Sequence, residues 1–262
     1  MTEPLPLTED DRGEPGVLEA SMLHRRRRVH PAVVLCFFND LLGELAERGE
    51  VTPLYTLRSE VGANPVYEVA TPSGPVAVVH PGMGAPFAAV VMEELVALGA
   101  RAFVAAGGAG ALTTELALGS VMVVDSALRD EGTSFHYAAP SRVIEADPEG
   151  VALLDAVLSE AGVAHRVGRV WTTDAIFRET RSRVARRAAE GCAMVDMESS
   201  AMIALARYRG VAFAQLLYAG DSLAGEVWDH RDWMRARDVR AALFARAAEA
   251  AAREASRLGA PG

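Results

Sequence analysis

The sequence predicts one large α/β domain whose mostly parallel or mixed sheet is covered by helices on both faces. Three observations predict it. Short β-rich runs alternate with amphipathic stretches, no repeat or low-complexity linker divides the chain, and half of the 262 residues are hydrophobic. That length and composition can bury a substantial core, and alternating strands and helices form layered sheets.

Strand candidates are the apolar runs 32–37, 51–57, 66–70, 76–80, 102–106, 121–126, 166–171, 193–196 and 212–218. Helix candidates are 40–48, 86–98, 150–161, 181–190, 199–208 and a long one near 232–258. The crowding of strands into the first half points to a barrel-like or strongly coiled sheet. Residues 1–28, with Pro4, Pro6, Pro15 and many charges, read as a flexible N-terminal arm ahead of a domain spanning 29–262. The arginine run at 25–28 reads as a solvated charge cluster, with a subunit or anion contact as the alternative.

Composition excludes several functions. A net charge of −9 argues against nucleic acid as a partner. The apolar runs are too short and interrupted to cross a membrane. The acidic Met1–Asp11 stretch is no signal peptide, which leaves a cytoplasmic location as the expectation. Cys36 and Cys192 read as small core residues of a reducing compartment. The six histidines are scattered, with only His80 and His136 near candidate site segments, so no metal is expected. Every basic residue is arginine, which removes lysine Schiff-base chemistry and the P-loop lysine.

Ligands in such folds gather beyond the carboxyl ends of strands. Three expected strand ends carry unusual residues: Gly82-Met83-Gly84, Gly107-Gly108-Ala109-Gly110 and Gly220-Asp221-Ser222. The second lacks the third glycine of a dinucleotide fingerprint and reads as a tight turn or a close approach of backbone to ligand. The third matches a serine-hydrolase motif, but the only later histidine, His230, directly follows Asp229, which is poor spacing for a base. Met197-Glu198-Ser199 follows one strand and opens a helix, where Glu198 by itself would merely complement a helix N-terminus.

Taken together, four ordered segments resemble the nucleoside phosphorylase superfamily, the group of uridine and purine nucleoside phosphorylases and of methylthioadenosine and AMP nucleosidases. They are the stretch from His80 to Pro86, the Gly107–Leu112 turn, the stretch from Val195 to Ala201, and Tyr218-Ala219-Gly220-Asp221. Between them, the stretch from Asp130 to Tyr137 is similar to the Glu-Gly-Thr-Ser loop of AMP nucleosidases, and Thr172–Phe177 to the family's base-pocket segment. The resemblance runs from about residue 30 to the C-terminus. It implies a three-layer α/β/α fold with a mixed, strongly twisted central sheet, and an enzyme that cleaves the N-glycosidic bond of a nucleoside, purine favoured. No organic cofactor is implied, and phosphate is a possible co-substrate. Family sites are completed by a neighbouring subunit, which implies a homo-oligomer built on dimers.

The resemblance also assigns residues. Glu198 would hold the ribose hydroxyls with Met197 against the sugar, and Asp221 would protonate the departing base. Gly84, Gly107, Gly108, Phe177, Glu131, Arg58 and Arg178 are the remaining substrate-binding candidates, with Arg129 and Arg181 as further possible anion contacts. The cation-like sugar of the transition state explains the carboxylate, and an acid at Asp221 explains the purine preference. Two family arginines are missing, since Leu41 and Ala105 stand in their positions. The acceptor is therefore phosphate or water, with Asp40, Glu131 or Asp174 as candidate bases for water. The rivals are a nucleoside-binding regulatory protein on the same fold and a serine hydrolase using Ser222.

Overall fold

Alternation in the sequence becomes alternation of faces along the first strand. The described residues of this computed structural model are 5–23 and 28–259. The strands are β1 (Ala32–Cys36), β2 (Thr52–Ser59), β3 (Gly62–Thr71), β4 (Gly74–Val79), β5 (Ala102–Ala111), β6 (Val121–Asp130), β7 (Val143–Glu145), β8 (His165–Thr173), β9 (Cys192–Asp196) and β10 (Ala212–Ser222). The helices are α1 (Ala20–Leu23), α2 (Asn39–Glu47), α3 (Ala85–Ala97), α4 (Pro148–Glu160), α5 (Arg181–Ala189), α6 (Ser199–Arg209) and α7 (Arg237–Leu258).

On β1, Val33 and Leu35 join Met92 and Leu95 of α3 and Met202 and Leu205 of α6. Ala32, Val34 and Cys36 face the other way, toward Leu42 of α2, Leu154 and Leu158 of α4, and Leu243 and Phe244 of α7. Each side chain so enclosed contributes roughly 1.5–3 kcal/mol if it is a Val, Leu, Ile, Phe or Met. The three expected layers are therefore present, with core on both faces of the sheet. Cys36 and Cys192 are buried free thiols, and burial pushes the Cys36 thiol up to about 12.

The sheet is mixed and partly closed. β5 pairs with β10, β10 with β6, β6 with β8, β8 with β9, and β9 returns to β5. From β5 an open arm continues through β1, β4, β3 and β2. This circuit gives the barrel-like reading its structural form.

Four features differ from the sequence reading. The glycine stretch after residue 106 is no turn: β5 runs on to Ala111, pairing Gly107 and Gly108 with Leu217 and Tyr218 of β10. Likewise, Gly220-Asp221-Ser222 belongs to β10 itself rather than to the connection after it. The last helix begins at Arg237, because Arg231 and Asp232 adopt left-handed backbone (φ 50° and 48°) and a short 3-10 turn follows. The strand β7 has three residues, too few to show a period.

Part of the N-terminal arm lies against the body. The Glu19 carboxylate accepts a hydrogen bond from Arg209 Nη2 at 3.0 Å. Of the arginine run, 25–27 lie outside the described residues and Arg28 is exposed. Among the described residues no helix is long and apolar enough to cross a membrane.

Candidate active site

The turn from β4 into α3 is shaped by two glycines. Gly82 has φ +85°, and a Cβ there would lie 1.9 Å from a ring carbon of Phe87. Gly84 caps α3 with φ +91° and ψ 144°, a conformation that L side chains rarely adopt. That geometry aims its N–H at the Glu198 carboxylate, which accepts through Oε1 at 2.5 Å. The Met197 N–H donates to the other oxygen, Oε2, at 3.2 Å. Glu198 itself caps α6 and is buried, while Met197 beside it is half-buried. Burial and then the charge of Asp196 raise the pKa of Glu198, while the two backbone N–H groups oppose the shift.

Asp196 anchors the floor of this region. Its Oδ1 accepts from the Thr172 hydroxyl at 2.8 Å, and its Oδ2 accepts from the Ser199 N–H at 2.9 Å. The Thr172 oxygen in turn accepts from the Ser200 N–H at 3.1 Å. The Ser200 hydroxyl donates to Glu131 at 2.8 Å. Glu131 also accepts from the N–H of Ser134 at 2.9 Å and from its hydroxyl. The carboxylate expected to meet substrate is thus buried and engaged in tying the 132–136 turn to α6. Asp174, at the end of β8, similarly accepts from the Gly132 N–H at 2.8 Å.

Asp221 is placed by a bulge. Between Ala219 and Ser222 of β10 the register slips against Ala109 and Ala111 of β5, so Gly220 and Asp221 together oppose the single residue Gly110. A bulge of this kind re-aims a side chain out of the ladder. A Cβ at Gly110 would lie 2.5 Å from Leu223 Cδ1, 3.0 Å from Val195 Cγ1 and 3.4 Å from Asp221 Oδ1, so a side chain there would displace Leu223. Gly110 also pairs with Val195 of β9, so the bulge lies opposite the residue of β5 at which β9 joins the sheet. The outer oxygen, Oδ2, accepts from the indole N–H of Trp228 at 2.6 Å. Glu179 is a half-buried carboxyl raised to about 7, first by burial and then by the charge of Asp221.

The residues beyond β1 form a different surface. Phe37 donates its N–H to the Ala106 carbonyl at 3.0 Å. Its ring packs where a Gly107 side chain would go, Cδ2 lying 3.2 Å from that Cβ position, and meets the His80 ring edge-on at 6.2 Å between centroids. Ala105 is fully buried and Leu41 packs against the α7 side of the core. Asp40 is bound through both oxygens by Arg240, whose guanidinium also lies 4.9 Å from the Phe38 ring centre, so it is not free to act as a base.

The remaining candidates are scattered. Phe177 is 96% exposed in the short turn after β8. Arg178 is exposed and its side chain makes no hydrogen bond or ion pair among the described residues, whereas Arg181 donates to the Gly225 carbonyl at 2.7 Å. Arg58 is exposed on β2, the edge strand. Arg129 is buried under the 132–141 segment, donating to Ser134, Ala138, Ala139 and Ser141. The Ser222 hydroxyl is buried, accepts from the Ala224 N–H at 3.3 Å and has no imidazole partner among the described residues, so the serine-hydrolase reading fails. Trp228, Glu179 and Thr172 were not singled out as site residues by the sequence. Of these only Thr172 carried a signal, as the first residue of the segment similar to the family's base pocket.

Known proteins resemble this chain in sequence or in fold to different degrees. The profile of the phosphorylase superfamily matches residues 31–253. A uridine phosphorylase of Thermococcus kodakarensis is 32% identical over 103 residues, 39% of this chain and 37% of that protein. A guanosine phosphorylase of Halorubrum lacusprofundi is 29% identical over 145 residues, 55% of this chain and 60% of that protein. The matched stretch thus spans less than two thirds of each relative's length. Among solved structures, a purine nucleoside phosphorylase from Toxoplasma gondii superposes with a TM-score of 0.71 at 24% identity, over 85% of this chain and 92% of that one. An AMP nucleosidase from Bacteroides thetaiotaomicron gives 0.64 at 22% identity, over 82% and 89%. At these identities the structural likeness speaks for the fold. With the profile covering most of the sequence, the chain belongs to the phosphorylase superfamily.

Proposed function

We propose that this protein cleaves the N-glycosidic bond of a nucleoside, purines ahead of uridine, and transfers the pentosyl group to water. The observation that carries the reading is the Glu198 carboxylate, buried and oriented by the N–H groups of Gly84 and Met197 at the strand ends. Where that carboxyl is ionised it favours the cation-like transition state over the neutral ground state; burial and Asp196 oppose the ionisation, and the two N–H donors and a cationic sugar support it. Asp221, on its bulge at the same end of the sheet, supplies a carboxyl able to protonate a purine ring nitrogen as the base departs.

Water is preferred over phosphate as the acceptor because of the surface beyond β1. A phosphate dianion needs several convergent donors and positive charge. Here an aromatic ring fills the space beside Gly107, and the neighbouring positions hold Leu41 and Ala105. Each missing arginine contact is worth roughly 1.5–3 kcal/mol. Arg58 of a neighbouring copy, in a homo-oligomer built on dimers, is the residue that would have to compensate.

The test is a panel of adenosine, inosine, guanosine and uridine, with and without phosphate, followed by mass spectrometry of the sugar product. Free base and free sugar in phosphate-free buffer, purines ahead of uridine, are the expected result. Exclusive formation of the sugar 1-phosphate would replace water with phosphate in this reading. Tight binding of a nucleoside without any turnover would make the protein a binding module.

A further inference from the structure

Asp221 is held from outside the sheet by a residue with no other assigned task. We propose that Trp228 is the positioning residue of Asp221: its indole N–H fixes one carboxylate oxygen, Oδ2, so that the other, Oδ1, is kept over Gly110. This rests on the proposed role of Asp221 in base departure.

Three features of the connection between β10 and α7 carry the inference. First, Ser222 and Asp229 exchange both backbone hydrogen bonds, at 2.8 and 3.0 Å, which brings residue 228 back beside residue 221. Second, the connection is tied to two distant parts of the fold. Arg181 of α5 donates to the Gly225 carbonyl, and Arg231 donates to the Leu116 carbonyl, both at 2.7 Å. Third, the indole N–H makes the only hydrogen bond to the Asp221 side chain among the described residues.

The two oxygens are therefore unequal. Oδ2 is occupied by the indole, whereas Oδ1 lies over Gly110, 3.4 Å from the Cβ position that glycine leaves empty. A carboxyl can adopt many orientations about its last bond, and a single short hydrogen bond selects among them. Trp228 is 63% exposed and contributes little to the core, so its burial gives no other reason for the contact. Its ring also lies 5.8 Å from that of His230, centroid to centroid, which limits its own freedom.

The experiment is a double-mutant cycle on release of free base from a purine nucleoside. Trp228→Phe keeps an aromatic ring and removes the N–H. Alone it should lower kcat about tenfold with KM changed less than about twofold, and leave the melting temperature in place. In the Asp221→Ala background the same substitution should have no further effect, since Trp228 acts only through that carboxyl. A spectroscopic arm needs no turnover. The emission of Trp228, taken as the difference between matched proteins with and without Trp228→Phe, should shift when Asp221 becomes Ala. A Trp228→Phe enzyme with unchanged kcat, equal losses in both backgrounds, or an emission indifferent to Asp221 would overturn the proposal. If Asp221→Ala itself leaves base release untouched, the reading of Asp221 as the acid falls instead, and the two failures are distinguishable.

Discussion

The surfaces on either side of the glycine stretch in β5 are built from opposite materials. On the β9 and β10 side, carboxyl groups are held by backbone N–H groups, hydroxyls and an indole: Glu198 by Gly84 and Met197, Asp196 by Thr172 and Ser199, Asp221 by Trp228. On the β1 side, the ring of Phe37 packs on Gly107, Ala105 is buried, and the nearby carboxylates Asp40 and Glu44 are paired with Arg240 and Arg237. Polar groups held in fixed positions are what a charged transition state needs. A packed aromatic surface whose neighbouring arginines, among the described residues, are already paired is what a phosphate dianion avoids. On the proposed function, the contrast teaches that the groups assigned to the leaving base and sugar are separable from the surface assigned to the acceptor, although both lie along one strand.

The largest expected effect is on the polar side. Asp221→Asn should lower purine nucleoside cleavage about 100-fold while affecting uridine much less, because only the purine depends on a carboxyl proton donor. Steady-state rates on inosine and uridine would show it, and equal losses on both would detach Asp221 from base departure. Glu198→Gln should lower turnover at least tenfold on every accepted nucleoside, without loss of melting temperature. Its burial already disfavours the charged carboxyl in the folded state, so a neutral amide carries less desolvation cost there. Wild-type turnover in that variant would remove the sugar-side assignment.

On the apolar side the expectation is a near absence of effect. Phe37→Gly opens space beside Gly107 but supplies no cation, so base release should remain independent of phosphate concentration. A severalfold stimulation by phosphate in that variant would show that the aromatic ring alone had been excluding the anion, and the contrast between the two sides would collapse.

The smallest effect concerns Glu179. Its carboxyl is raised to about 7 in the folded protein, so between the unfolded value of 4.5 and about 7 the native state binds the extra proton. Stability from this group therefore falls as pH rises through that window, and its penalty is fully present above it. Glu179→Gln should raise the melting temperature by about 2 °C at pH 8 and leave it unchanged at pH 4. A rise at pH 4, or a fall at pH 8, would contradict the buried position of this side chain.

The layered fold and the order of its strands and helices, apart from α1 and the three-residue β7, were legible from the sequence alone, where Glu198 and Asp221 stood out as candidates. Apolar alternation is a local pattern, as on β1, where Val33 and Leu35 face one layer and Val34 and Cys36 the other. The motifs around Gly84 and Met197 are also local, and each sits at an element boundary where the sequence places it. What only the tertiary structure decided is non-local. The path of β5 through Gly107–Gly110 depends on β10 and β9 closing a circuit around it, and glycines that read as a turn become strand when neighbours supply hydrogen bonds on both sides. Glu131 looked free to meet a ligand until Ser200, 69 residues away, was brought against it. Phe177 is hydrophobic yet stands in solvent, because a side chain in a short 3-10 turn is buried only if another element covers it. Whether Asp221 is aimed at all rests on a one-residue bulge and on an indole seven positions later, and both follow from how the chain closes on itself.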